Sequence, residues 1–343
     1  MPARWDPLHD MPSLAGKVAV VTGGKYVEPS NGIGFATVKF LALKGAKVYF
    51  TARSKAKADL ARDAIRSAHP EVDQDLLIWL PFDLTNLKSV RDAAEELTSK
   101  EDKVDILINN AGVASASTET AGPGWEWHMA INHVGHFVFT NAVLHLLKAA
   151  TKRTGADVRI VTLSSNANNM FPADYKFAFD SPSFLSRPVP YYPLSWRLVA
   201  RHLFHVDMVR YAASKVANTL FAQELQRLLD EQGLPILSVS VHPGGVASEG
   251  SKTIGGAVFT LLRSPVLLTV DQGAVTPLFA ATAAEVRENA ERFKGRYLEP
   301  YATIVTPHVV AQDKEQVRGM WDHTTTEVNK YFAEIGLSPL KDW

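Results

Sequence analysis

Short runs rich in Val, Ile and Leu alternate along this chain with longer stretches in which apolar residues recur every three or four positions. Continuous apolar runs mark strands buried on both faces, and the longer period marks helices with one face covered. On this pattern Lys17–Thr22 (KVAVVT) is a strand, Gly32–Lys44 a helix, Lys47–Thr51 a strand and Lys55–Ala68 a helix. Further strands are expected at Leu76–Leu80, Val104–Asn109, Val158–Leu163 and Ile236–Val241, with helices starting near Thr85, Trp127, Tyr211 and Asp271. Strand and helix in turn predict an α/β chain with a doubly wound parallel sheet in three layers, α/β/α. No repeat, low-complexity segment or Pro/Gly/Ser-rich linker divides the 343 residues, so a single domain over 1–343 is expected.

Composition removes several classes of function. The 36 basic and 36 acidic residues cancel, and such a chain has no field for nucleic acid or an anionic membrane surface. With no cysteine there is no disulfide, no thiolate nucleophile and no Cys-rich zinc site. The opening MPARWDPLHDMPSLAG lacks the apolar core of a signal peptide, and the most apolar later stretch, Ile254–Val270, is broken by Arg263, Ser264 and Pro265. A cytoplasmic protein without an integral membrane span is the expectation.

The first strand-to-helix turn reads Thr22, Gly23, Gly24, then KYVEPSN, then Gly32, Ile33 and Gly34. Glycines there let backbone approach a pyrophosphate whose charge the free N–H groups at a helix start stabilise, although glycines also serve tight strand–helix packing alone. At the end of the second strand, VYFTARS, an NAD site usually places an acid for the ribose 2′-hydroxyl, whereas this chain has Ala52 and Arg53. A guanidinium matches a 2′-phosphate, so Arg53, helped by Lys25 or Lys57, points to NADP(H); a solvated Arg opening the next helix is the alternative. Tyr211 and Lys215, in YAASK, are i and i+4 on one helical face. A nearby ammonium favours the phenolate, which makes the pair suited to acid–base work on a carbonyl or alcohol.

Ordered motifs extend this along most of the chain: TGG…NGIG at 22–34, FDL at 82–84, NNAG at 109–112, NHVGHF at 132–137, VTLSS at 161–165, YAASKVAN at 211–218, VHPGGVAS at 241–248 and DQGA at 271–274. The chain resembles the short-chain dehydrogenase/reductase family, and within it the retinol-dehydrogenase-like branch, to which GRYLEP at 295–300 and MWDHTTTEV at 320–328 are also similar. The resemblance implies a Rossmann-type fold. It implies Tyr211 as proton donor in reduction, Lys215 as the group that lowers its pKa and binds the nicotinamide ribose, Ser165 as the substrate-oxygen contact, and Asn132 as holder of a relay water. From spacing alone Ser164 and Ser165 are not distinguished; the family pattern selects Ser165. The implied cofactor contacts are Gly23, Lys25, Asn31, Gly32, Ile33 and Gly34 in the first loop, Arg53, Asp83 and Leu84 toward the adenosine, and Asn110, Ala111 and Gly112 beside it. Tyr211, Lys215, Pro243, Gly244, Val246 and Ser248 complete the nicotinamide side.

Departures from the family pattern concern the surroundings of this set. Eight residues, Gly24 to Asn31, stand between Gly23 and Gly32 where three are usual, and Ser248 replaces a threonine. The segment 166–210, between Ser165 and Tyr211, is long and rich in Phe, Tyr, Trp and Pro, and with the loop 246–270 it is expected to form a substrate lid. Phe171, Tyr191 and Trp196 are its candidate substrate contacts beside Ser165 and Tyr211, with Phe184 a further aromatic; an oligomer contact is the alternative. His128, His133 and His136 crowd one helix, and His202 and His205 repeat the i, i+3 spacing, but without a carboxylate pattern they are read as packing or surface residues, with no metal. The reading is an oxidoreductase that interconverts a hydrophobic or aromatic ketone or aldehyde and its alcohol with NADP(H), chiefly as a carbonyl reductase, its partner a small hydrophobic molecule, with a homodimer a further possibility. NAD-linked oxidation of a lipid-like alcohol and a catalytically silent nicotinamide-binding scaffold are the competing readings.

Overall fold

The computed structural model describes residues 5–24, 32–167, 171, 175, 177–187, 207–246 and 267–343. Its main sheet is built from β1 (Val18–Val21), β2 (Lys47–Ala52), β3 (Leu77–Pro81), β4 (Ile106–Asn109), β5 (Val158–Leu163), β6 (Ile236–Val241), β7 (Tyr297–Glu299) and β8 (Thr303–Val305). The strand order is β8-β7-β6-β5-β4-β1-β2-β3, parallel throughout except for the antiparallel β7–β8 edge pair. From β1 the chain steps outward to β2 and β3, then returns to the opposite side at β4. Strand order therefore reverses between β1 and β4, and the carboxyl ends of those strands open a crevice of the kind that takes a dinucleotide.

Alternation along the strands divides the core in two. Val18 and Val20 face one side and Ala19 and Val21 the other, as period-two geometry requires. The first side is covered by α3 (Leu87–Lys100), α4 (Gly135–Ala150), α5 (Met208–Glu231) and α7 (Lys314–Glu334). The second is covered by α1 (Ile33–Leu43), α2 (Lys55–Ala68) and α6 (Val270–Thr282). The arrangement is a doubly wound, three-layer α/β/α fold of Rossmann type.

Side-chain caps fix where helices begin. Asn86 accepts from the N–H groups of Lys88 and Ser89 at the start of α3, and Thr269 with Gln272 closes a reciprocal capping box on α6. The helix expected from Tyr211 starts earlier, at Met208, because Asp207 accepts from Arg210 N–H. β4 starts later than expected: Val104 gives its N–H to Leu146 O, and the Asp105 carboxylate takes the Val18 N–H, so the run to Asn109 begins at Ile106. The helix expected near Trp127 enters through a π-helical turn, Met129–Val134, before α4. None of the described helices is long and apolar enough to cross a membrane.

Candidate active site

At the switch point the first loop and the β4 loop are fastened together. Thr22, the residue after β1, accepts the N–H groups of Asn110 and Ala111 on its Oγ1, both at 2.9 Å, and its carbonyl accepts from Asn110 Nδ2 at 2.7 Å. Gly23 has φ +76°, and a Cβ there would lie 2.9 Å from Ala111 Cα; one at Gly34 would strike the Asn110 amide and Gly23 O. Gly23, Gly34, Asn110 and Ala111 thus bring the β1 and β4 ends within contact distance of the start of α1. Gly112 continues the same approach, since a Cβ there would be 3.2 Å from both Lys215 Nζ and Asn132 Oδ1.

Tyr211 and Lys215 stand one turn apart on α5. Lys215 is buried, its Nζ 3.0 Å from Leu163 O and 5.9 Å from the centre of the Tyr211 ring. Burial pulls the Lys215 ammonium down to about 8. Burial also pushes the Tyr211 phenol up, and a hydrogen bond with Ser165 opposes this only in part. The net direction for Tyr211 is therefore upward, where the sequence reading expects a lowering, with burial the leading cause. The two serines part company. Ser164 Oγ donates to Lys215 O at 2.6 Å and lies 3.0 Å from Thr219 Oγ1, pinning α5 to β5, whereas Ser165 meets the Tyr211 hydroxyl.

Asn132 lies in the π-helical turn with both ends of its amide engaged. Oδ1 accepts from Val113 N at 2.8 Å, and Nδ2 donates to Val113 O at 3.0 Å and Ser214 Oγ at 2.9 Å. Its carbonyl meets His136 Nδ1 at 3.0 Å. The Asn132 amide therefore clamps the segment after NNAG to α5. The neighbouring histidines diverge to separate partners. His128 Nδ1 meets Glu126 at 2.8 Å and its Nε2 accepts from Ser115 N; His133 meets Thr324 at 3.1 Å; His136 Nε2 meets Thr22 Oγ1 at 2.8 Å. Burial lowers His133 to about 3 and His136 to about 4.

Residues 17–175 match the model of the short chain dehydrogenase family. Short chain dehydrogenase/reductase dpchH of Colletotrichum higginsianum is 42% identical, covering 94% of this chain and 77% of that protein. The chain is a short-chain dehydrogenase/reductase. A second relative, dpfgH of Gibberella zeae, also described as a short chain dehydrogenase/reductase, is 38% identical over 95% of this chain and 86% of its own. The NADPH-bound carbonyl reductase from chicken fatty liver superposes with a TM-score of 0.57 at 20% identity, covering 85% of this chain and 100% of that one. The 3-ketoacyl-(acyl-carrier-protein) reductase of Brucella melitensis, complexed with NADH, gives 0.58 at 22% identity, covering 84% of this chain and 97% of that one. At such identities these two structures speak for the fold.

Around the candidate site the remaining residues named from sequence take the following places. Arg53 follows β2, exposed and without a hydrogen bond or ion pair among the described residues. Asp83 Oδ1 accepts from Thr85 N and Oγ1 at 3.0 and 2.8 Å, while Leu84 packs against Gly135, where a Cβ would lie 2.5 Å from Leu84 Cδ2. Gly135, unremarked within NHVGHF, is what admits that loop. Beyond β6, Pro243 leads to Gly244 at φ +94°, and Val246 packs so closely on Gly273 of α6 that a Cβ would be 2.5 Å away, with Ile33 at 3.3 Å. Lys25, Asn31, Tyr191, Trp196 and Ser248 lie outside the described residues. Phe171 is buried in an aromatic cluster with Tyr175 and Phe177, ring centres 5.1 and 5.8 Å away. Phe184 is buried 5.1 Å from Phe179, whose N–H donates to Gln316 of α7.

Two groups near the centre, His242 and Tyr297, were not read as site residues from sequence. His242 is buried, brought down to about 4 by burial and then by the Lys215 charge, and its Nδ1 has no partner among the described residues. Tyr297 on β7 is buried, pushed up by burial and by Glu299, which accepts its hydroxyl at 3.4 Å; Tyr211 is near enough to add to the shift. Both lie within quoted motifs, His242 in VHPGGVAS and Tyr297 in GRYLEP.

Proposed function

We propose that this short-chain dehydrogenase/reductase is an NADP(H)-dependent carbonyl reductase acting on a hydrophobic or aromatic ketone or aldehyde. The observation that carries the cofactor choice is Arg53, an exposed guanidinium with its donors uncommitted at the end of β2, where an NAD site would hold an acid. The start of α1 fits a pyrophosphate: Gly32 caps it without a side-chain hydrogen bond, its first turn holds no acid, and a Cβ on Gly32 meets nothing within 4 Å among the described residues.

When bound, the nicotinamide supplies hydride. The chain's own residues handle the proton. Tyr211, protonated at neutral pH, is poised to give its hydroxyl proton to a carbonyl oxygen in the reductive direction. Ser165, in contact with the same hydroxyl, is placed to donate a second hydrogen bond to the developing oxyanion. Lys215, deep under Gly112, provides the charge and N–H donors for ribose hydroxyls. In this reading the chain is one cytoplasmic domain over 1–343, alone or as a homodimer, with 166–210 and 246–270 as its lid.

Fluorescence titration with NADPH and NADH tests the cofactor choice. Because hydrogen bonds to a charged group contribute roughly 1.5–3 kcal/mol, Arg53→Ala should weaken NADPH binding about ten- to a hundredfold and leave NADH nearly unchanged. Equal loss for both would make Arg53 structural, and wild-type protein that holds NADH as tightly as NADPH would end the NADP(H) reading. Turnover of a panel of aromatic, steroid-like and long-chain carbonyls tests the substrate class.

A further inference from the structure

The buried polar groups on the α4/α5 side of the sheet form a continuous path with one direction. Thr22 Oγ1 receives two backbone N–H groups, from Ala111 and from Asn110, the latter shared with Ile108 O at 3.0 Å. With both acceptor positions engaged, the threonine hydrogen goes to its remaining neighbour, His136 Nε2 at 2.8 Å. An Nε2 that accepts leaves the ring hydrogen on Nδ1, which donates to Asn132 O at 3.0 Å. The Val113 N–H fixes the orientation of the Asn132 amide, so its Nδ2 donates to Ser214 Oγ at 2.9 Å. Ser214 in turn donates to Tyr211 O at 2.7 Å. Every link is buried or nearly so, and every donor is determined by its neighbour.

We propose that His136, held as the neutral Nδ1-protonated tautomer, is a positioning residue that ties the glycine-rich loop after β1 to the turn of α5 carrying Tyr211 and Lys215. It touches neither reacting atom. It joins the two halves of the site that strand order alone leaves independent: Thr22 sets the cofactor loop, and Ser214 sits between the acid and its lysine. A charged or Nε2-protonated ring would direct a hydrogen at an oxygen already filled by two donors, so only one ring state completes the path. The inference rests on the oxidoreductase reading of Tyr211 and Lys215, but the path itself is defined by the protein alone.

The experiment has two arms. In the first, nitrogen-15 NMR of histidine-labelled protein near pH 7, assigned by comparison with His136→Phe or, if that variant does not fold, His136→Asn, should show His136 neutral with its proton on Nδ1. A proton on Nε2, or on both nitrogens, overturns the proposal. In the second, His136→Phe and Ser214→Ala should each lower turnover by roughly ten- to a hundredfold, the scale of a misplaced catalytic group, while dinucleotide Kd measured by fluorescence moves less than about threefold. His136→Asn, which keeps a donor for Asn132 O, should recover most of the loss. The double variant should be no worse than the poorer single one, because both cut the same path. Multiplicative losses, or losses shared equally by Kd and turnover, would make His136 an ordinary core residue. If His136→Phe does not fold, His136→Asn and Ser214→Ala carry the cycle. Should wild-type protein bind a dinucleotide yet turn over no carbonyl or alcohol, the functional reading fails, and the NMR arm still judges the path.

Discussion

The two faces of the sheet solve different problems. Under α1, α2 and α6 the core is mainly aliphatic, with Phe35, Phe40, Phe50, Phe279 and Phe293. Its large buried charge among the described residues, Arg159, pairs with Asp157 and donates to Ala280 O and Ala283 O at the end of α6, a position where the helix dipole favours a cation. Under α3, α4, α5 and α7 the core instead encloses His128, Asn132, His133, His136, Ser214 and Lys215. Beside them stands an aromatic cluster in which Phe221 stacks on Trp321 at 13° and Trp343 lies 4.4 Å from Trp321 and 4.7 Å from Phe137. Burying polar groups costs free energy unless each is bonded, and on this face they bond one another in chains.

The largest consequence should come from the phenol itself. Tyr211→Phe keeps the ring contact with His128, whose centre is 6.2 Å away, and removes only the hydroxyl. Turnover should fall roughly a hundred- to ten-thousandfold with fold and dinucleotide affinity intact, and Ser165→Ala should be similarly damaging. Near-normal turnover of Tyr211→Phe would remove the acid from this mechanism.

Core truncations then separate the faces. Phe221→Ala on α5 and Leu278→Ala on α6 should each destabilise, by about 3–5 and 2–5 kcal/mol respectively. Per folded molecule, however, Phe221→Ala should also lower turnover, because the helix it loosens carries Tyr211 and Lys215, while Leu278→Ala should not. Denaturant midpoints measured alongside active-site-normalised rates decide this. Equal rates in both variants would mean that packing on the α5 face does nothing for the site.

Acid should find the same asymmetry. His133, His136 and His242 all lie on the α5 side and are depressed below the ordinary histidine value near 6.5, to about 3, 4 and 4. A depressed folded value means that the unfolded chain binds the extra protons, so stability is complete above about pH 6.5 and is lost as pH falls toward 4. All three shifts act in the same direction. Depressed carboxylates such as Glu126 and Asp157 contribute only at lower pH, which leaves the interval from 6.5 to 4.5 to the histidines. Urea midpoints that stay level across that interval would show these rings are not held neutral.

How far this was legible from sequence follows the same division. Runs such as Val158–Leu163, Ile236–Val241 and Lys55–Ala68 appear with the boundaries their periodicity predicts, since local pattern decides them. The spacing of Tyr211 and Lys215 is likewise local. What the sequence hides is long-range: Asn132 meets Ser214 across 82 positions and Thr22 meets His136 across 114. Burial is also invisible there, and it is burial that reverses the direction of the Tyr211 shift. Helix α7 was available but unread, since Val317, Met320, Trp321, Thr324, Val328 and Phe332 recur at helical spacing behind the Asp313 cap.

The smallest effect sharpens the contrast between adjacent residues. Ser164 and Ser165 leave the end of β5 in opposite senses, the first toward the backbone of α5 and the second toward the phenol. Ser164→Ala removes a bond to Lys215 O and a contact with Thr219, a loss of about 1 kcal/mol with Thr219 Oγ1 still able to reach the same carbonyl at 3.4 Å. Thermal midpoint should therefore drop by a few degrees while turnover changes less than about threefold. If Ser164→Ala instead matched Ser165→Ala in lost turnover, the hydroxyl that serves the substrate would be the first of the pair, and the site would have to be rebuilt around it.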